Sequence, residues 1–113
     1  MNNATYLQNN SCVHFYYTDC PKPSALTYAY VSTTEAAITW TGGIAGETNW
    51  TIIYGPDGFN PETGGITITT TATNAIIPNL TQLTTYDIYI YSDCSPTIQS
   101  LPLASTFTTL PYC

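Results

Sequence analysis

An all-β sandwich of two packed sheets, seven short strands preceded by an N-terminal extension, is the fold class this 113-residue sequence predicts. Three observations predict it. No segment carries the 3.6-residue apolar spacing of an amphipathic helix. Thr, Ile, Val and Tyr, which suit a pleated and half-buried surface, dominate the chain, with Thr alone roughly a fifth of it. Short runs alternate apolar and polar residues, and Gly- and Pro-containing breaks separate them.

The strands follow in order. They are expected over residues 25–32 (ALTYAYVS), 35–41 (EAAITWT), 49–55 (NWTIIYG), 65–71 (GITITTT), 74–80 (NAIIPNL), 85–93 (TYDIYIYSD) and 104–110 (ASTFTTL). The breaks TGGIAGET, GPDGFNPETGG and SPTIQSLP place Gly and Pro where turns need them. Seven strands are the count of a small immunoglobulin-like sandwich. Residues 1–19 form the extension, and its portion CVHFYYTDC can add an eighth strand; residues 20–113 form the sandwich. Because side chains alternate across a strand, Ala36, Ile38 and Trp40 share one face, as do Trp50, Ile52 and Tyr54, and Tyr86, Ile88 and Ile90. With Leu26, Leu80 and Phe107 these sets make a core between two sheets.

Composition excludes several functions. Apolar residues make up 43% of the chain and charged ones 7%, and the formal net charge is -6. Lys22 is the one basic side chain. A nucleic-acid backbone is bound by neutralising phosphates with Lys and Arg, so nucleic acid is excluded as a partner, and anionic membrane surfaces are disfavoured for the same reason. No apolar run reaches the roughly 18 residues of a membrane span, so no membrane insertion is expected. The opening MNNATYLQNN lacks the charged and apolar regions of a signal peptide. Two expectations follow: either a targeting segment has been removed, or the protein reaches its place without one.

Catalytic and metal chemistry is not expected. There is no nucleophile elbow, phosphate loop or HExxH pattern, and the seven carboxylates form no close pair in sequence. His14, beside aromatic residues in HFYY, reads as a strand residue. The loop GPDGFNPETGG offers Asp57, Asn60 and Glu62 as oxygen donors but lacks the dense alternation of a calcium loop, so it reads as a structural turn. Neither cofactor nor metal is expected. The sequons at Asn3, Asn9, Asn49 and Asn79 are what a Thr- and Asn-rich chain produces by chance. Cys12, Cys20, Cys94 and Cys113 are an even number with no close CxxC pair, which favours disulfides over zinc and leaves three connectivities.

The opening CPKPSAL, the strand AAITW with Trp40, the segment WTIIYGPDGF, the corner LTQLTTYDIYIYSDC and the closing STFTTLPYC resemble a fibronectin type III domain, specifically the variant repeated in secreted and surface proteins of bacteria. The resemblance runs from about Cys20 to Cys113. Leu80 and Tyr86 stand at the places of the family's corner, with Gln82 where Pro is usual. It implies that Trp40 and Leu80 are structural and that Tyr86 is a tyrosine corner, its ring buried and its hydroxyl bonded to backbone. It implies that the third, sixth and seventh strands lie side by side with the fourth at the edge. Ile53, Tyr89 and Tyr91 then form an apolar face pointing outward, read either as a protein-contact patch or as cross-strand pairs that stabilise a sheet face. The topology also implies a Cys20–Cys94 bond, leaving Cys12 and Cys113 to bond between copies or with a further repeat.

The function expected is a non-enzymatic structural or adhesive module outside the cytoplasm, extracellular or on a cell surface, its partners being proteins and foremost copies of itself. The favoured form is a self-assembling subunit of a surface filament or coat, including a virion decoration or fibre protein at a virion surface. The alternative is an accessory protein- or carbohydrate-binding module of a larger secreted enzyme or adhesin; carbohydrate is not favoured, because Trp40 and Trp50 are both assigned to the core.

Overall fold

The computed structural model describes residues 20–43 and 46–112. Eight strands follow one another: β1 Ser24–Val31, β2 Ala36–Thr41, β3 Trp50–Pro56, β4 Ile66–Thr70, β5 Asn74–Ile77, β6 Thr85–Ser95, β7 Ile98–Gln99 and β8 Leu103–Thr108. One sheet has the order β1-β2-β5; the other runs β4-β3-β6, with β8 and the two-residue β7 both pairing along β6. All described pairings are antiparallel. This is the predicted two-sheet sandwich, with the third, sixth and last strands adjacent and β4 at the edge.

The segment SPTIQSLP, expected only as a break, contains β7. Strand β6 continues to Ser95, past the expected end at residue 93, and Asp93 and Ser95 pair with Gln99 and Ile98. The hairpin closes because Ser92 and Ser100 satisfy one another: the Ser100 N–H donates to the Ser92 carbonyl at 2.9 Å, and the Ser92 N–H donates to Ser100 Oγ at 2.9 Å. Both residues are buried, where an unmet backbone group is costly.

Between the sheets lie Ala36, Ile38, Trp40, Trp50, Ile52, Tyr54, Ile77, Leu80, Ile88, Ile90 and Phe107. Each fully buried Ile contributes about 1.5–3 kcal/mol relative to exposure. Ile77 was not among the expected core residues. In NAIIP two neighbouring isoleucines point to opposite faces, and the register Ala36↔Ile77 turns Ile77 inward and leaves Ile76 54% exposed. Trp40 and Trp50 meet edge to face, with ring centroids 6.3 Å apart, and both are almost fully buried.

The two ends of the sandwich are closed differently. At one end, where β1 begins and β6 finishes, Cys20 and Cys94 form a disulfide with Cα atoms 5.8 Å apart. At the other, Tyr86 Oη accepts the Thr81 N–H at 2.8 Å, which is the hydrogen bond of a tyrosine corner. The Tyr86 ring stacks on Phe107 at 5.7 Å. It is half-buried where full burial was expected, because it pairs with Pro56 at the last rung of the β3–β6 ladder. Thr109 completes this end. Its hydroxyl donates to the Thr81 carbonyl at 2.6 Å and accepts the Thr84 N–H at 2.9 Å.

Candidate functional site

The outer face of the five-stranded sheet is built by alternation. With Ile52, Tyr54, Ile88 and Ile90 committed to the core, Thr51 and Ile53 of β3 and Asp87, Tyr89, Tyr91 and Asp93 of β6 point away from it. Ile53 stands directly opposite Tyr89, and Thr51 opposite Tyr91. On the other flank Ala104 of β8 faces Tyr89. The three predicted residues Ile53, Tyr89 and Tyr91 are therefore neighbours on one face.

This face is not bare. The connection from β3 to β4 folds back over it, and Phe59 sets its ring edge to face against Tyr89, centroids 5.6 Å apart and planes at 76°. Glycine makes the slot. A Cβ at Gly55 would lie 3.0 Å from Phe59 Cγ, and one at Gly65 would run into the same ring and reach within 2.9 Å of Ile53 Cγ2. Gly65 also holds φ at 89°, a left-handed conformation that favours glycine. The apolar face expected from the strands is not without a Glu at its margin, because this loop also carries Glu62 toward Tyr91. Partial burial raises the Tyr91 hydroxyl above its ordinary pKa, and the Glu62 carboxylate raises it further.

Two carboxylates bracket the aromatic pair. Asp87 Oδ2 accepts the Gly58 N–H at 2.8 Å and Oδ1 accepts the Thr106 hydroxyl at 2.8 Å. These donors, Gly58 first, hold the carboxyl below its ordinary pKa. Asp87 thus fastens the loop to β6 and β8 together. Asp93 accepts the Thr51 hydroxyl at 2.6 Å and the Gln99 amide at 2.8 Å. Each oxygen of both carboxylates is thus engaged by a neutral donor.

Within the loop, Asn60 Oδ1 accepts the Glu62 N–H. No cluster of three or more His, Cys, Asp or Glu occurs among the described residues. Beside the disulfide a shallow cleft of about 260 Å³ is lined by Glu47, Asn49 and Asp93 among others. It falls below the roughly 300 Å³ at which small-molecule sites begin. His14, Cys12 and Cys113 lie outside the described residues, as do the sequons at Asn3 and Asn9. Asn49 and Asn79 are exposed. No described helix is long and apolar enough to cross a membrane.

Sequence reasoning missed Phe59. The signal was present in GPDGFNPETGG, where one large apolar side chain stands among turn residues and glycines. An aromatic in a loop has no periodic partner to reveal it.

No family model and no curated protein sequence matches the chain. Solved structures are similar to it. The fibronectin type III domain of the human collagen α-1(XX) chain superposes with a TM-score of 0.70 at 21% identity, covering 83% of this chain and 88% of that one. The corresponding domain of human fibronectin type III domain containing protein 3 gives 0.68 at 14% identity, over 82% and 88%. A computationally redesigned β-sandwich protein gives 0.69 at 24% identity, over 81% and 92%. The described sandwich has the fibronectin type III fold.

Proposed function

We propose that this chain is a non-enzymatic module that works outside the cytoplasm as a structural or adhesive element, a fibronectin type III variant of the bacterial secreted and surface kind. Its partners are proteins, and copies of the chain associate into a filament or coat, a virion decoration included. The observation that carries this reading is the outer face of the five-stranded sheet. Ile53, Tyr89, Tyr91 and Phe59 gather there, and the bracketing carboxylates are already engaged. Tyr is favoured at protein contacts because it offers large area at low entropy cost.

Two features support the setting. The Cys20–Cys94 disulfide belongs to an oxidising compartment. The surface is kept in water by hydroxyls and amides more than by charge, and Lys22 is its one basic side chain. The burial of Trp40 and Trp50 removes the residues best suited to stack on sugar rings, which favours protein over carbohydrate.

The test is a denaturing gel of native material with and without reductant, paired with sedimentation of the undenatured protein. A ladder that collapses on reduction to one band near 12.3 kDa means copies joined covalently through Cys12 and Cys113. Oligomers in sedimentation that disappear in Tyr89→Ser/Tyr91→Ser place the contact on the aromatic face. A monomer in every condition overturns self-assembly and leaves an isolated binding module of a larger secreted enzyme or adhesin.

A further inference from the structure

We propose that the free edge of β4 is a second self-association surface, on which β4 of another copy pairs antiparallel across a two-fold axis through Ile68. This deepens the self-assembly reading above and rests on it. A sheet edge presents unpaired N–H and C=O groups, and natural domains blunt such edges with prolines, charges, bulges or very short strands.

Four of the five edge strands here are blunted, the two-residue β7 by its length alone. Strand β1 is broken by register shifts at Ser24/Thr27 and Tyr28/Tyr30, with Ala25 at φ 57°. Strand β5 has four residues and is followed by Pro78 and by Asn79 at φ 60°. Strand β8 lies between Pro102 and Pro111, and the chain just beyond it is tied to the other sheet by the Leu110 N–H on the Ser32 carbonyl.

Strand β4 has none of these devices. Its five residues, ITITT, pair with β3 in unbroken register from Thr70 opposite Trp50 to Ile66 opposite Tyr54. They contain neither charge nor proline, and no described strand lies beyond them.

The occupant follows from self-complementarity. A two-fold axis at Ile68 sets Ile66 opposite the partner's Thr70, Thr67 opposite the partner's Thr69, and Ile68 opposite itself. Residues of the same parity meet, so inward side chains meet inward ones and the outward-pointing backbone groups face each other. Ile66, 57% exposed in the single copy, gains a neighbour on its open side. A strand pair this short buries less than the roughly 1,200 Å² of a stable interface, which makes it a weak contact suited to repeated use in an assembly. The net charge of -6 makes copies repel, so added salt strengthens a contact between two copies and weakens one with a basic partner.

The experiment is sedimentation equilibrium of the full chain carrying Cys12→Ser and Cys113→Ser, which removes covalent links, up to about 1 mM and at low and moderate salt. Dimers that strengthen with salt are expected. Thr67→Lys/Thr69→Lys should weaken them at least tenfold, because each Lys meets a Lys of the other copy. These substitutions lower the net negative charge, so general repulsion cannot account for a loss. Thr67→Val/Thr69→Val, which keeps the edge neutral and strand-forming, should leave association equal or stronger, and it keeps the proposal testable if the Lys variant misfolds.

Association unchanged in the Lys variant but lost in Tyr89→Ser/Tyr91→Ser overturns the edge while sparing the self-assembly reading. A monomer throughout, with the outward-pointing β4 amides protected from hydrogen exchange, means that another segment of the same chain covers the edge and overturns the proposal. A monomer with exchanging outward-pointing β4 amides, and no ladder on the gel, sinks both. Association that weakens with salt points to a charge-complementary contact and overturns edge pairing.

Discussion

The two ends of this sandwich solve the same problem by different means. At the end where β6 finishes, a covalent bond joins Cys20 to Cys94 and local hydrogen bonds hold the β6–β7 hairpin. At the other end nothing covalent joins the described residues. The Tyr86 and Thr109 hydroxyls hold that end by bonding backbone groups of Thr81 and Thr84. A disulfide acts mainly by restricting the unfolded chain, whereas a buried hydroxyl acts by satisfying groups that folding would otherwise strand. The covalent end therefore resists global unfolding, and the hydroxyl end resists local opening.

The largest effect should come from breaking the covalent end. Cys20→Ser/Cys94→Ser removes a cross-link spanning 74 residues and should cost about 4 kcal/mol in the chain-entropy account, lowering Tm by roughly 20 °C. Calorimetry reads the loss. Hydrogen exchange at Thr84 and Thr109 sharpens the comparison, because protection there should fall only as far as global stability does.

Next comes Thr109→Val. It leaves the half-buried Thr84 N–H and the Thr81 carbonyl without the partner that buried Thr109 supplies and should cost about 1–2 kcal/mol, read by urea denaturation. Tyr86→Phe removes one bond, to the Thr81 N–H, and should cost about 1 kcal/mol because the stacking on Phe107 remains. If Tyr86→Phe proved as costly as the double Cys variant, the contrast between the ends would fail.

The smallest effect is set by pH. The fold holds the Asp87 carboxyl below its ordinary value, so its contribution is present above the unfolded carboxylate range and is lost as pH falls through the lowered folded value. Asp87→Asn should therefore flatten the acid limb of a stability profile while leaving the profile above neutrality parallel to that of the wild type. Exposure of the group to solvent keeps the change small.

Much of this architecture was legible because alternation is a local signal. WTIIY, AAITW and YDIYI each fix a two-residue phase, and a single phase assigns every side chain along a strand. Tyr86 was legible for another reason, the resemblance of LTQLTTY to the corner of fibronectin type III domains. Ile77 was not, since two adjacent isoleucines fit either phase until the register with β2 is known. Strand β7 escaped because two residues carry no period. Phe59 escaped because its partners, Tyr89 and the slot between Gly55 and Gly65, are assembled by tertiary approach. The candidate face was thus named by its strand residues and missed its lid.

The disulfide has a mechanical side. If tension is applied between residues 20 and 112, the load passes from Cys20 directly to Cys94, and the chain between them is a closed ring that cannot lengthen. Only the roughly 18 residues beyond Cys94 can be drawn out, about 60 Å at full extension, where the unlinked sandwich would release about 300 Å. Even a sandwich torn open under such a load would be a short-travel link, its stretch limited by sulfur and not by packing.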